Sequence, residues 1–149
     1  MEGKFDFAII SDDASLSYLE RSLRRPKWPK GLQDHVLKHL DYKLIGTSLY
    51  ACQNYDGTPD VILIDAGCIA NHNTNDRHFD MLKKFAEKHT SSLFCIVSLF
   101  KSRMEDCFNE LRSYISEEVV VEMHGNGNEQ IADYMYKKVL QYYPYKGAK

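Results

Sequence analysis

Pro59-Asp60-Val61-Ile62-Leu63-Ile64-Asp65 decides how this chain folds. Four branched apolar residues follow one another without polar alternation, and the run ends in a carboxylate. A strand with one wetted face alternates apolar and polar side chains. A run like this one is covered on both faces, as in a parallel sheet. The turn residues Tyr55-Asp56-Gly57-Thr58-Pro59 lead into it.

The same pattern recurs on either side. Phe5-Asp6-Phe7-Ala8-Ile9-Ile10 is rich in strand formers and stops at Ser11-Asp12-Asp13. Ser92-Leu93-Phe94-Cys95-Ile96-Val97 stops at Ser98, and Val119-Val120-Val121 leads to Met123-His124. Tyr42 to Thr47 reads as a further strand. Between these runs apolar residues recur at helical spacing. Leu16, Leu19 and Leu23 mark a helix that must stop before Pro26. Val36, Leu37 and Leu40 mark a weaker one after the loop Arg24–Gly31. Phe79, Leu82 and Phe85-Ala86 mark the next. Met104, Cys107, Phe108, Leu111 and Ile115 mark a fourth, and Ile131, Tyr134, Met135, Val139 and Leu140 the last. Strands alternating with helices predict a five-stranded parallel sheet with helices on both faces. Right-handed crossovers leave few topologies, and the order 2-1-3-4-5 is expected.

A chain of 149 residues is one domain in size and can bury a full core. Hydrophobic residues make up 44% and charged residues 27%, a globular balance. The net charge of -2 gives no electrostatic case for nucleic acid or an anionic membrane as main partner. The first residues carry no signal-peptide pattern, and no run suits a membrane helix. Cys52, Cys68, Cys95 and Cys107 include no C-x-x-C pair and read as reduced thiols of a cytoplasmic protein.

In open parallel sheets the working site lies beyond the carboxyl ends of the strands, where the strand order reverses. Asp12 and Asp13 end the first strand and Asp65 the third, so three carboxylates are expected to converge. Left alone they repel one another. Mg²⁺, a hard cation with octahedral oxygen ligands, relieves that repulsion. Acids at strand ends also serve as helix caps, and Asp13 suits a helix beginning at Ala14.

From residue 5 to about 140 the chain resembles a response-regulator receiver domain, a flavodoxin-like three-layer α/β sandwich. Ile9-Ile10-Ser11-Asp12-Asp13 is similar to the acidic pair that ends that family's first strand. Pro59–Asp65 is similar to its third strand, which ends in the phosphoacceptor aspartate. Ser98 falls where the family has a switch Thr or Ser. The resemblance implies that Asp65 accepts a phosphoryl group. It implies that Asp12, Asp13 and Asp65 hold Mg²⁺ with the Gly67 carbonyl, and that Ser98 hydrogen-bonds a phosphoryl oxygen. It also implies a histidine kinase or phosphotransfer protein as partner, and a homodimer through the face of the fourth helix, fifth strand and fifth helix. The whole chain, 1–149, is then a single receiver-like domain.

The sequence departs from the family in three places. The family has Lys-Pro at the end of the fifth strand. The best register here puts His124-Gly125 there, or Met123 if it slips by one, and no lysine lies between Lys101 and Lys137. The aromatic switch position falls on Val121. An extra segment near 26–40 lengthens the connection from the first helix to the second strand. The expected function is therefore an atypical receiver of phosphorelay signalling that acts by protein contact, since no output domain follows residue 149. The alternatives are a phosphorylation-independent interaction module, or a Mg²⁺-dependent phosphohydrolase with Asp65 as nucleophile and His124 as acid.

Other readings have less support. Two carboxylates after strand one would repel the phosphate of a flavin nucleotide. Neither G-x-G-x-x-G nor G-x-x-x-x-G-K occurs. Gly125-Asn126-Gly127-Asn128 reads as a turn into the last helix. His35 and His39 share a helix face without a third ligand, and His72, Asp76, His78 and Asp80 read as a polar loop and helix start. Arg24-Arg25-Pro26-Lys27-Trp28-Pro29-Lys30 reads as a solvated loop whose Trp28 packs on the domain. Tyr134, Tyr136, Tyr142, Tyr143 and Tyr145 on the last helix and tail suggest an interface.

Overall fold

A computed structural model describes residues 3–10, 13–46, 53–65, 76–98, 113, 116–120 and 127–144. Five strands, β1 (Phe5–Ile10), β2 (Leu40–Gly46), β3 (Val61–Asp65), β4 (Leu93–Ser98) and β5 (Glu117–Val120), form one sheet. The order is β2-β1-β3-β4-β5 and every pairing is parallel, as the apolar runs predicted. The described helices are α1 (Asp13–Arg24), α2 (Lys30–His39), α3 (Asp76–Lys88) and α4 (Gly127–Tyr142). The helical pattern of Met104–Ile115 lies outside the described residues. None of the described helices is long and apolar enough to cross a membrane.

Alternation along the strands sorts the core into two layers. Phe5, Phe7, Ile9, Val61, Leu63 and Cys95 share one buried cluster with Leu19 and Leu23 of α1, Val36 of α2, and Ala132, Met135, Tyr136 and Val139 of α4. Ala8, Ile10, Ile62, Ile64 and Phe94 alternate with that set and are equally buried. Phe85 of α3 meets Phe94 edge-on with ring centroids 6.3 Å apart, which places α3 on the second face. Cys95 is a buried free thiol.

Polar groups at the amino ends of the strands hold the register. Asp60 N donates to Asp6 O at 3.0 Å, Leu93 N to Asp60 O at 2.8 Å, and Ser92 Oγ to Pro59 O at 2.6 Å. Phe94 N donates to Ser116 Oγ at 3.0 Å, while Ser116 N donates to Phe94 O at 2.7 Å. These bonds pair backbone groups that burial would otherwise leave without partners.

The regular alternation of one helix per crossover does not hold. Two helices, α1 and α2, lie between β1 and β2. The described residues between β2 and β3 contain no α-helix. Leu40, read from its spacing as helical, has φ -104 and ψ 131 and opens β2 directly after α2. The extra segment is therefore mostly helix, and it packs between α4 and the start of β2.

Aromatic side chains of α4 seat this added helix. Trp28 stacks on Tyr136 with centroids 5.8 Å apart, and its indole N–H donates to Asp133 Oδ1 at 3.0 Å. His39 stacks on Tyr143 at 4.6 Å, and His35 Nε2 lies 2.7 Å from Tyr143 O. The Tyr143 hydroxyl donates to Gly3 O, and Tyr142 stacks on Phe5 at 4.4 Å. Trp28 packs on the domain as expected. Of the tyrosines read as an interface, Tyr136 is a correction, since it has no exposed surface and donates its hydroxyl to Leu23 O at 2.7 Å, whereas Tyr142 is exposed and Tyr145 lies outside the described residues. That carbonyl belongs to the last turn of α1, where helical partners run out. Burial pushes the Tyr136 phenol well above its ordinary range, so it stays a donor.

Tyr136→Phe leaves the Leu23 carbonyl buried and unpaired. It is expected to destabilise the fold by about 1–3 kcal/mol without changing the oligomeric state. Urea unfolding and sedimentation measure the two effects; unaltered stability would mean that the hydroxyl is idle.

Candidate functional site

The carboxyl ends of β1, β3 and β4 form the edge where function is expected. Ile10, the last residue of β1, pairs with Ile64, and Asp65 follows at the tip of β3 opposite Val97. Ser98 is the next residue of β4 and pairs with Val120. From β1 the chain moves outward to β2, while β3 lies on the other side of β1. Strand order therefore reverses between β1 and β3, one interstrand spacing of about 4.8 Å. The backbone places Asp65 at this switch point, with Ser98 on the adjoining strand. α1 begins at Asp13 itself, one residue earlier than expected, three residues beyond the end of β1. Asp12, Gly67 and His124 lie outside the described residues, as do Met123 and Val121. Among the described residues no three His, Cys, Asp or Glu side chains are grouped to hold a metal. This includes the pair His35 and His39, whose rings are 4.8 Å apart.

The opposite edge carries an acidic group that sequence reading missed. Asp6 and Asp41 are paired positions on β1 and β2, and Asp60 precedes β3. Asp60 Oδ2 accepts from Asp6 N at 2.8 Å, and Asp41 Oδ1 accepts from Tyr42 N at 2.9 Å. Asp6 and Asp41 line a cleft of about 240 Å³ together with Tyr42, Tyr55, Thr58 and Pro59. Tyr55 folds back over Gly57, so a side chain there would have to displace the Tyr55 ring. Burial raises the Asp6 carboxyl above its ordinary value. The Asp41 and Asp60 charges and a hydrogen bond shared with Asp41 add to this, and Lys4 opposes it. The signal was available, since an acid stands at the amino end of three neighbouring strands.

A carboxyl whose folded pKa is raised favours folding below its unfolded pKa of 3.8, and loses that contribution as pH rises through the folded value. At pH 7 the repulsion is fully expressed. Asp6→Asn keeps the backbone donor to Asp60 and is expected to raise Tm at pH 7. The gain should shrink in high salt and vanish near pH 3; a gain independent of pH would refute the electrostatic cause.

Comparison with known proteins bears on this arrangement. No family model matches the sequence, and no curated protein is similar enough in sequence to match. Solved structures do match. The BeF3-activated DrrB receiver domain superposes with a TM-score of 0.55 at 12% identity, covering 93% of this chain and 98% of its own. A receiver domain from Rhodospirillum rubrum gives 0.52 at 14% identity, covering 95% of each chain. A CpaE pilus assembly protein from Burkholderia thailandensis gives 0.53 at 17% identity, with coverage of 92% and 98%. Near-complete coverage in both directions leaves one conclusion about architecture: this chain has the fold of a response-regulator receiver domain.

Proposed function

We propose that the chain is an atypical receiver that accepts a phosphoryl group on Asp65 and passes its signal on by protein contact. The observation that carries this reading is the position of Asp65 at the tip of β3, at the strand-order reversal of a receiver-fold sheet. In this reading the Asp65 carboxylate attacks the phosphorus of a phosphohistidine donor; a P–O bond forms as the P–N bond breaks, and the donor imidazole leaves with that electron pair and takes up a proton. Asp12, Asp13 and Asp65 with the Gly67 carbonyl supply hard oxygen ligands from neighbouring strand ends, a donor set that suits Mg²⁺. The cation supplies charge neutralisation for the incoming phosphoryl group. Ser98, at the tip of the next strand, donates to a phosphoryl oxygen. A histidine kinase or phosphotransfer protein is the matching donor.

A second reading has its own support. No lysine lies between Lys101 and Lys137, and His124 stands where the family carries its ammonium. Near pH 7 an imidazole is largely neutral and shorter, which favours a module that keeps the fold and signals without phosphorylation.

One experiment separates them. The chain is treated with a small phosphodonor and Mg²⁺, and acid-labile phosphate is measured. Incorporation that disappears in Asp65→Asn and without Mg²⁺ is expected. His124→Lys should raise the yield several-fold by restoring a fixed cation, a gain on the scale of a charge-assisted hydrogen bond. No phosphate on the wild-type chain or on His124→Lys would favour the interaction module.

A further inference from the structure

We propose that the corner between α1 and α2 docks a short acidic segment of a partner protein. From Arg21 to Lys30 the chain carries Arg21, Arg24, Arg25, Lys27 and Lys30 with no acid among them, on a molecule of net charge -2. All five are exposed. Among the described residues, Arg25, Lys27 and Lys30 have no ion pair and no side-chain hydrogen bond. A salt bridge joins Lys88 to Asp56 elsewhere on the surface.

The corner is held in place. Pro26 and Pro29 restrict its backbone. Trp28 between them is clamped by Asp133 and Tyr136. Gln33 Nε2 donates to Arg24 O at 3.2 Å, which ties the first turn of α2 back to the end of α1. A loop that only connects two helices needs none of this. Cations on a fixed frame lose less entropy when an anion binds.

Lys30 adds a second argument. It opens α2 behind Pro29, which makes no side-chain cap, and the first turn holds no acid. A cation there opposes the helix dipole and costs a few tenths of a kcal/mol that an Asp or Glu would recover. A local choice against stability is expected where a surface serves binding.

The boundaries of the patch select the partner. Glu20 lies just before it and Asp34 just after it, both exposed, and Asp133 lies beside Trp28. A nucleic-acid strand or an anionic bilayer extends past these carboxylates and meets repulsion at the rim. A short run of Asp and Glu with its own uncharged flanks matches the basic centre alone.

Trp28 is the only tryptophan, so its fluorescence reports from within the patch. The whole chain is titrated with a peptide of about ten glutamates at an ionic strength of roughly 50 mM, where screening still allows such contacts. Binding is followed by Trp28 emission and by anisotropy of a label on the peptide. The expected result is saturable binding that weakens with salt and falls on the order of tenfold in Arg25→Glu/Lys27→Glu/Lys30→Glu. If that variant is misfolded by circular dichroism, Arg25→Gln/Lys27→Gln/Lys30→Gln takes its place with the same expectation. No binding to the wild-type chain, or equal binding to the variant, overturns the proposal. Tighter binding to a single-stranded oligonucleotide of equal charge, or to phosphatidylserine vesicles, overturns it as well.

Discussion

Val61, Ile62, Leu63 and Ile64 point alternately to the two faces of the sheet, and none keeps more than 1% of its surface in water. A strand in that position has no place for an unpaired polar side chain, whose burial costs several kcal/mol by transfer measures. Helices must therefore cover both faces, and polar chemistry is driven to the strand ends. Both edges of the sheet follow this rule. One carries Asp65 and Ser98; the other carries Asp6 and Asp41, which line a cleft, and Asp60, which bonds to Asp6 N. The fold separates its acids into two groups because its centre admits none.

The central strands were legible for the same reason. Continuous apolar runs at 7–10, 61–64 and 93–97 have no other use in a chain of this size, and their pairing order followed from handedness. Asp65 and Ser98 were legible as the residues at which those runs stop. The added helix α2 was harder to place. Val36 is its one fully buried side chain, so its apolar period is faint. Its anchors are instead aromatic stacks and hydrogen bonds to residues about a hundred positions away, which no local pattern records. Tyr136 misled for a related reason. A tyrosine reads as an interface residue when its hydroxyl partner is unknown, and that partner, the Leu23 carbonyl, becomes visible only once α1 and α4 are side by side.

Identities of 12% to 17% over more than nine-tenths of the chain show how little of this architecture is specified residue by residue. Layered α/β folds need apolar residues of about the right volume at alternating positions, and many sequences satisfy that. Fold likeness alone does not carry function across.

Leu23 meets Tyr136 across 113 positions, Tyr143 meets His35 across 108 and Gly3 across 140. Long-range closures of this kind slow folding, since loop entropy is lost before the contacts form. During synthesis, which runs at about 5–20 residues per second, Phe5, Phe7, Leu23 and Val36 emerge long before the helix that covers them. For that interval the layer holding β1, α1 and α2 has no lid, and its apolar face is open to other nascent chains. The last helix acts as a late-arriving keystone, and a ribosome stalled before residue 127 would hold out a half-built sheet for chaperones to shield.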